Sequence, residues 1–105
     1  MQDDRLGAVF AALADPTRRA IAERLSEGEA SVTELAEPFD VTLPAILKHL
    51  HVLEEAGLLE HRKAGRVRYC RLVPGALDEA EQWLAYYRRF WTQRLAGLHK
   101  HLEAE

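Results

Sequence analysis

The stretch VTLPAILKHLHVLEEAGLL, Val41 to Leu59, decides the reading of this chain. At about 100° per residue, Ile46, Leu50 and Leu53 fall together on one side of a helix. Thr42 caps its start, Pro44 is tolerated in its first turn, and Gly57 stops it. The side with Ile46, Leu50 and Leu53 is core. Pro44, Ala45, Lys48, His51, Val52 and Glu55 point away from it. Glu54 and Glu55, late in the helix, would repel phosphates, so only the N-terminal half suits DNA.

Upstream, Ser31 with Glu34 gives a capping-box signal for a short helix from Val32 to about Glu37, stopped by Pro38. Phe39-Asp40-Val41 then reads as a tight turn. Further back, Asp15-Pro16 is an N-cap followed by proline at the first helical position, and that helix runs through Ile21 and Leu25 to about Gly28. Leu6, Val9, Phe10 and Leu13 mark a helix before it. Downstream, EHRKAGRVRYCRL is basic, broken at Ala64-Gly65 and rich in strand formers, which predicts a two-stranded hairpin. Pro74-Gly75 ends it. From Ala76 one helix of roughly 27 residues makes a rod of ~40 Å.

Four helices, a hairpin and a fifth helix, with a helix-turn-helix in the middle, predict a mainly α fold with a small β-hairpin wing. This is a winged helix-turn-helix, in a single domain over residues 1–105. The core side of the Thr42 helix would hold it to the domain, leaving its first turns free to enter a DNA major groove.

Composition agrees with one soluble globular domain: 105 residues, 48% hydrophobic and 30% charged,. No apolar run approaches the ~20 residues of a membrane span, and the start MQDDRLGAV lacks the features of a secretory signal, so the cytoplasm is expected. The net charge of −3 hides a division. Residues 1–41 hold four basic against nine acidic side chains, residues 42–72 six against three, and residues 73–105 four against five. The basic third contains the Thr42 helix and the hairpin. Local charge is what a phosphate backbone feels, since salt screens beyond about 10 Å.

The expected DNA contacts are therefore Thr42, Pro44, Ala45, Lys48 and His51 on the helix, with Arg62, Lys63, Arg66 and Arg68 on the wing. Lys48 can reach guanine, Pro44 and Ala45 thymine methyls, and Thr42 is first a cap. His49 lies near the buried side, where a scaffold role competes with DNA contact. Cys70 shares a strand face with Leu72 and reads as a buried thiol. The last helix carries a stripe of Leu77, Ala80, Leu84, Tyr87, Trp91, Leu95, Leu98 and Leu102, with Trp83, Tyr86 and Phe90 beside it. A domain of this size cannot cover both sets, which points to a homodimer.

The blocks LADPTRRAIAERL, VTELAEPF and LPAILKHLHVLEEAGLLEHRKAGRVRYCRL together resemble those of ArsR/SmtB-type repressors over nearly the whole chain. The resemblance implies a homodimer on an inverted-repeat operator. It also implies that the first and last helices, about 4–13 and 76–102, form the dimer interface through Leu6, Val9, Phe10, Leu77, Trp83, Leu84, Tyr87, Trp91, Leu95 and Leu98. Members that sense soft metals carry cysteines in the third helix, whereas ELAEPF has none. Others use aspartate and histidine of the last helix, whereas DEAEQWLAYYRRFW has no histidine. No metal site or cofactor is expected, although His99 and His101, about 200° apart on a helix, could still meet a partner's histidines.

Three other readings compete. A metal- or thiol-responsive sensor of the same fold would need ligands the chain lacks in those places. A helical interaction module would leave the basic hairpin unexplained. An enzyme fails on inventory: Ser26 and Ser31 sit at helix boundaries, and no HExxH or glycine-rich phosphate loop occurs.

Overall fold

Local capping chemistry sets the helix boundaries in the computed structural model, which describes residues 4–104. Asp4 accepts the Gly7 N–H at 2.8 Å and starts α1, Arg5–Leu13. Asp15 accepts the Arg18 N–H at 3.0 Å and starts α2, Pro16–Leu25, with proline in the first turn,. Ser31 and Glu34 form the reciprocal capping box that starts α3, Val32–Ala36,. The Thr42 hydroxyl accepts the Ala45 N–H at 3.3 Å and starts α4, Leu43–Glu55. Gly57, at φ 79°, lies just past its end in the left-handed region that glycine enters without a Cβ penalty,.

The sheet has one more strand than expected. Residues Ala30–Ser31 form β1, which pairs antiparallel with β3 (Val67–Leu72) on the side opposite β2 (Leu59–Ala64). Ala30 faces Cys70, and Ser31 faces Tyr69. The hairpin register runs from Leu59 with Leu72 to Ala64 with Val67. The turn is therefore Gly65-Arg66, one residue later than the expected break at Ala64-Gly65, with Gly65 at φ 65° in its first position,. Arg66 stands at the wing tip.

One core joins these elements. Ile21 and Leu25 of α2, Leu35 of α3, Ile46, Leu50 and Leu53 of α4, Leu58 just before β2, and Leu59 and Cys70 of the sheet are all buried. The three α4 residues are those its spacing predicts. Val9, which the resemblance places at the dimer interface, is instead 6% exposed within this core and has almost no surface left for a partner.

After the hairpin the chain turns through Pro74 and Gly75, and α5 spans Asp78–Ala104, so Leu77 precedes the helix that was expected to begin at Ala76. Ala80 is the only buried residue of α5 among those whose side chains are described. The helix leaves the domain and stretches the molecule to 68 × 35 × 24 Å. No helix among the described residues is long and apolar enough to cross a membrane.

Candidate nucleic-acid interface

Helix α4 is positioned from both flanks, at its middle and at its C-terminal end. On one flank Arg18 of α2 reaches the His49 Nδ1 at 3.4 Å, with the Asp15 carboxylate 3.9 Å from the same nitrogen. On the other, the Glu54 carboxylate meets the His61 Nδ1 of β2 at 2.7 Å. Between them the core residues anchor the inner side, and Pro44, Lys48 and His51 remain exposed on the outer side, as expected. Ala45 is half-buried and Thr42 exposed, its hydroxyl engaged in the cap. His49 does not join them. It is turned against α2 by its contacts to Arg18 and Asp15, the scaffold placement that competes with DNA contact at this position.

The wing cations divide into two groups. Arg62 is held in a two-point pair by Glu29, in the loop before β1, and its guanidinium lies 4.8 Å from the centre of the Tyr69 ring. Its side-chain bond to Arg62 holds the Glu29 carboxyl below its ordinary value. Lys63, Arg66 and Arg68 are exposed and have no acidic side chain within ion-pair distance among the described residues, and the same is true of Lys48. Arg71, on the same strand, is tied to Glu60 at 2.6 Å. On α5, Arg88, Arg89 and Lys100 likewise have no such partner among the described residues, so within the helix-turn-helix and wing the charges left available to an external anion sit at the wing tip and on α4.

An open cleft of about 390 Å³ separates those two groups. Leu43 and Leu47 form one wall, with Lys63, Arg66, Val67 and Arg68 on the other. Leu43 and Leu47, 51% and 37% exposed, are not among the contacts expected from the sequence. They fall between the core direction and the outer direction of α4, a position that spacing alone assigns to neither. Apolar side chains beside cations suit a ligand that combines methyl groups with phosphates, as duplex DNA does.

The other candidate chemistries find no geometry among the described residues. No three His, Cys, Asp or Glu side chains come together as a metal site. Cys70 is buried, and burial pushes its thiol above the ordinary value, which disfavours the thiolate that metals and oxidants need,. On α5, Trp83 packs edge-on against Phe10 of α1 at 5.9 Å and tilted against Tyr87 at 4.6 Å. Beyond them Trp91, Leu95, Leu98 and Leu102 project from the domain, with Trp91 66% exposed.

Comparison with known proteins places the chain among helix-turn-helix regulators. Residues 13–62 match a helix-turn-helix domain family. The chain is 44% identical over 94 residues to the HTH-type transcriptional regulator Rv2034 of Mycobacterium tuberculosis, covering 90% of this chain and 85% of that protein. It is 33% identical over 76 residues to the transcriptional repressor SdpR of Bacillus subtilis, covering 72% and 84%. Among solved structures, an ArsR family transcriptional regulator superposes with a TM-score of 0.79 at 47% identity, covering 85% of this chain and 98% of that one.

Proposed function

The chain belongs to the ArsR family of winged helix-turn-helix DNA-binding transcriptional regulators, and from that premise we propose that it acts as a homodimeric repressor on an inverted-repeat operator. The observation that carries the DNA-contact assignment is the concentration of cations without an acidic neighbour, Lys48, Lys63, Arg66 and Arg68, around the exposed outer side of α4. Pro44, Lys48 and His51 meet base edges, Thr42 and Ala45 lie at the helix entry, and the wing tip meets phosphates. Arg62 contributes only if a phosphate displaces Glu29.

The dimer forms through Leu6, Phe10, Leu77 and the exposed stripe of α5: Trp83, Leu84, Tyr87, Trp91, Leu95 and Leu98. An apolar stripe this long, uncovered by its own domain, is stabilised by burial against a second copy. Residues 1–105 then act as one DNA-binding and dimerising unit, in the cytoplasm with the chromosome. No metal, cofactor or catalytic role belongs to the proposal.

Selection of bound duplexes from random DNA tests it. A two-fold related sequence with half-sites about one helical turn or a small multiple apart is expected, with affinity that falls steeply as salt rises. A selected site without internal symmetry, or a flat salt dependence, would overturn the reading.

A further inference from the structure

We propose that Arg18 is a positioning residue for DNA binding: through His49 it fixes the rotation of α4 relative to α1 and α2.

The guanidinium bonds two elements at once and so joins both to its own α2. Its Nε donates to the Ala12 carbonyl at 2.6 Å, and Nη2 donates to the Ala11 carbonyl at 3.1 Å, both in the last turn of α1. Nη1 donates to the His49 Nδ1 at 3.4 Å, across to α4. Arg19 beside it also bonds the end of α1, at Leu13 and Ala14, through its Nη1 alone. Guanidinium nitrogens can only donate, so this bond requires the His49 Nδ1, which also lies 3.9 Å from the Asp15 carboxylate, to accept, with the ring proton on Nε2,. A lysine, with one point charge in place of a planar fork, cannot hold the same three acceptors.

The consequence is mechanical. Ile46, Leu50 and Leu53 hold α4 by apolar contacts, which have no direction and resist rolling about the helix axis weakly,. Directional bonds at the two flanks, Arg18 to His49 at 3.4 Å and Glu54 to His61 at 2.7 Å, add the angular restraint that apolar contacts lack,. His49 follows Lys48 directly, so a roll at His49 swings Lys48 out of register with a base edge. The same guanidinium grips α1, whose Phe10 packs on Trp83 of α5. Arg18 thus ties the helix that faces DNA to the helices proposed to face the second copy.

The variants R18Q, R18K, H49A and H49Q test this on a duplex selected by the wild-type protein, at a temperature where each variant is fully folded. R18Q, R18K and H49A should each weaken binding about tenfold or more, the loss of one bond to a charged group. H49Q, whose side-chain carbonyl can still accept from Arg18, should retain most of the affinity. In R18Q/H49A the losses should not add, because both single variants remove the same Arg18–His49 bond,. Sedimentation should be unchanged throughout. Nitrogen-15 spectra of the wild type should show His49 protonated at Nε2 and bare at Nδ1, with the tautomers mixed in R18Q. Unchanged affinity in R18Q, additive losses, or a proton on Nδ1 would overturn the proposal. If R18Q does not fold, the contrast between H49A and H49Q decides it: equal losses would refute the role.

Discussion

Arg62 and Glu29 hold each other at two points across the base of the wing, Nε to Oε2 at 3.0 Å and Nη2 to Oε1 at 2.8 Å. One of the five cations that the sequence offers to DNA already has an anion. Arg62→Ala should therefore cost less affinity for a selected duplex than Arg66→Ala or Arg68→Ala. Each of the latter should also lower the slope of log affinity against log salt by about 0.9 for every phosphate left without its cation, counted twice in a dimer. Filter binding at several salt concentrations measures this, and an Arg62 variant that matches the Arg66 variant would refute the division.

Trp91 is the most exposed large hydrophobic residue of the described chain, at 66%. Trp91→Ala should shift the monomer–dimer equilibrium toward monomer in sedimentation, by about 3–5 kcal/mol if a partner buries the ring fully. DNA affinity should fall with it, because each subunit engages one half-site and the second engagement is lost. A dimer of wild-type strength would remove Trp91 from the interface.

Cys70 lies in the core opposite Ala30, and its burial raises the thiol above its ordinary value of 9.0. At pH 8 it should react with an aromatic disulfide reagent far more slowly than a free thiol, and at the free rate once urea unfolds the chain. Rapid labelling of the folded protein would show that the thiol is accessible.

The Asp15 carboxyl is held below its ordinary value of 3.8 chiefly by the Arg18 N–H, and the Glu34 carboxyl below 4.5 chiefly by the Ser31 N–H. Each folded value lies under the unfolded one. The stability these groups add is therefore complete above the unfolded values and is lost as pH falls through the folded ones. Urea midpoints should hold from neutral pH down to about 5 and then decline, and Asp15→Asn and Glu34→Gln should flatten that decline. A wild-type curve with the same slope as both variants would contradict the assignment.

Zinc should find no stoichiometric, sub-micromolar site in calorimetry, because a tight site needs several thiolate or imidazole ligands converging. Cys70 is buried on a strand, and His49 and His61 each face a partner of their own. A tight site that lowers DNA affinity would overturn this, with His99 and His101 of two subunits as the ligands to examine first.

The features legible in the sequence are those that neighbours along the chain determine. Asp15, Ser31 and Thr42 cap because their partners lie three residues away, and Ile46, Leu50 and Leu53 share a side because a helix repeats every 3.6 residues,. Features that depend on distant pairing stayed hidden. A strand of two residues, Ala30–Ser31, is too short to carry an alternating pattern and exists only because β3 lies beside it. Glu29 captures Arg62 from 33 residues away, and Arg18 captures His49 from 31. Apolar spacing also says which side of a helix wants cover without saying what covers it. Val9 found its cover inside the domain, whereas Phe10, its neighbour in sequence, is 37% exposed and meets Trp83.

The sheet has three strands only at its base, since β1 reaches β3 at Cys70 and Tyr69 and no further. Ser31 ends the strand because it is already the cap of α3. Beyond Tyr69 the wing is a bare two-stranded ribbon with solvent on both faces, a cantilever clamped at one end,. Amide protons near the clamp should exchange slowly and those around Gly65 quickly. In the proposed complex such compliance would let the tip cations follow a backbone whose width and curvature vary with base sequence, so that the wing would grip many duplexes nearly alike and discrimination would fall to the helix.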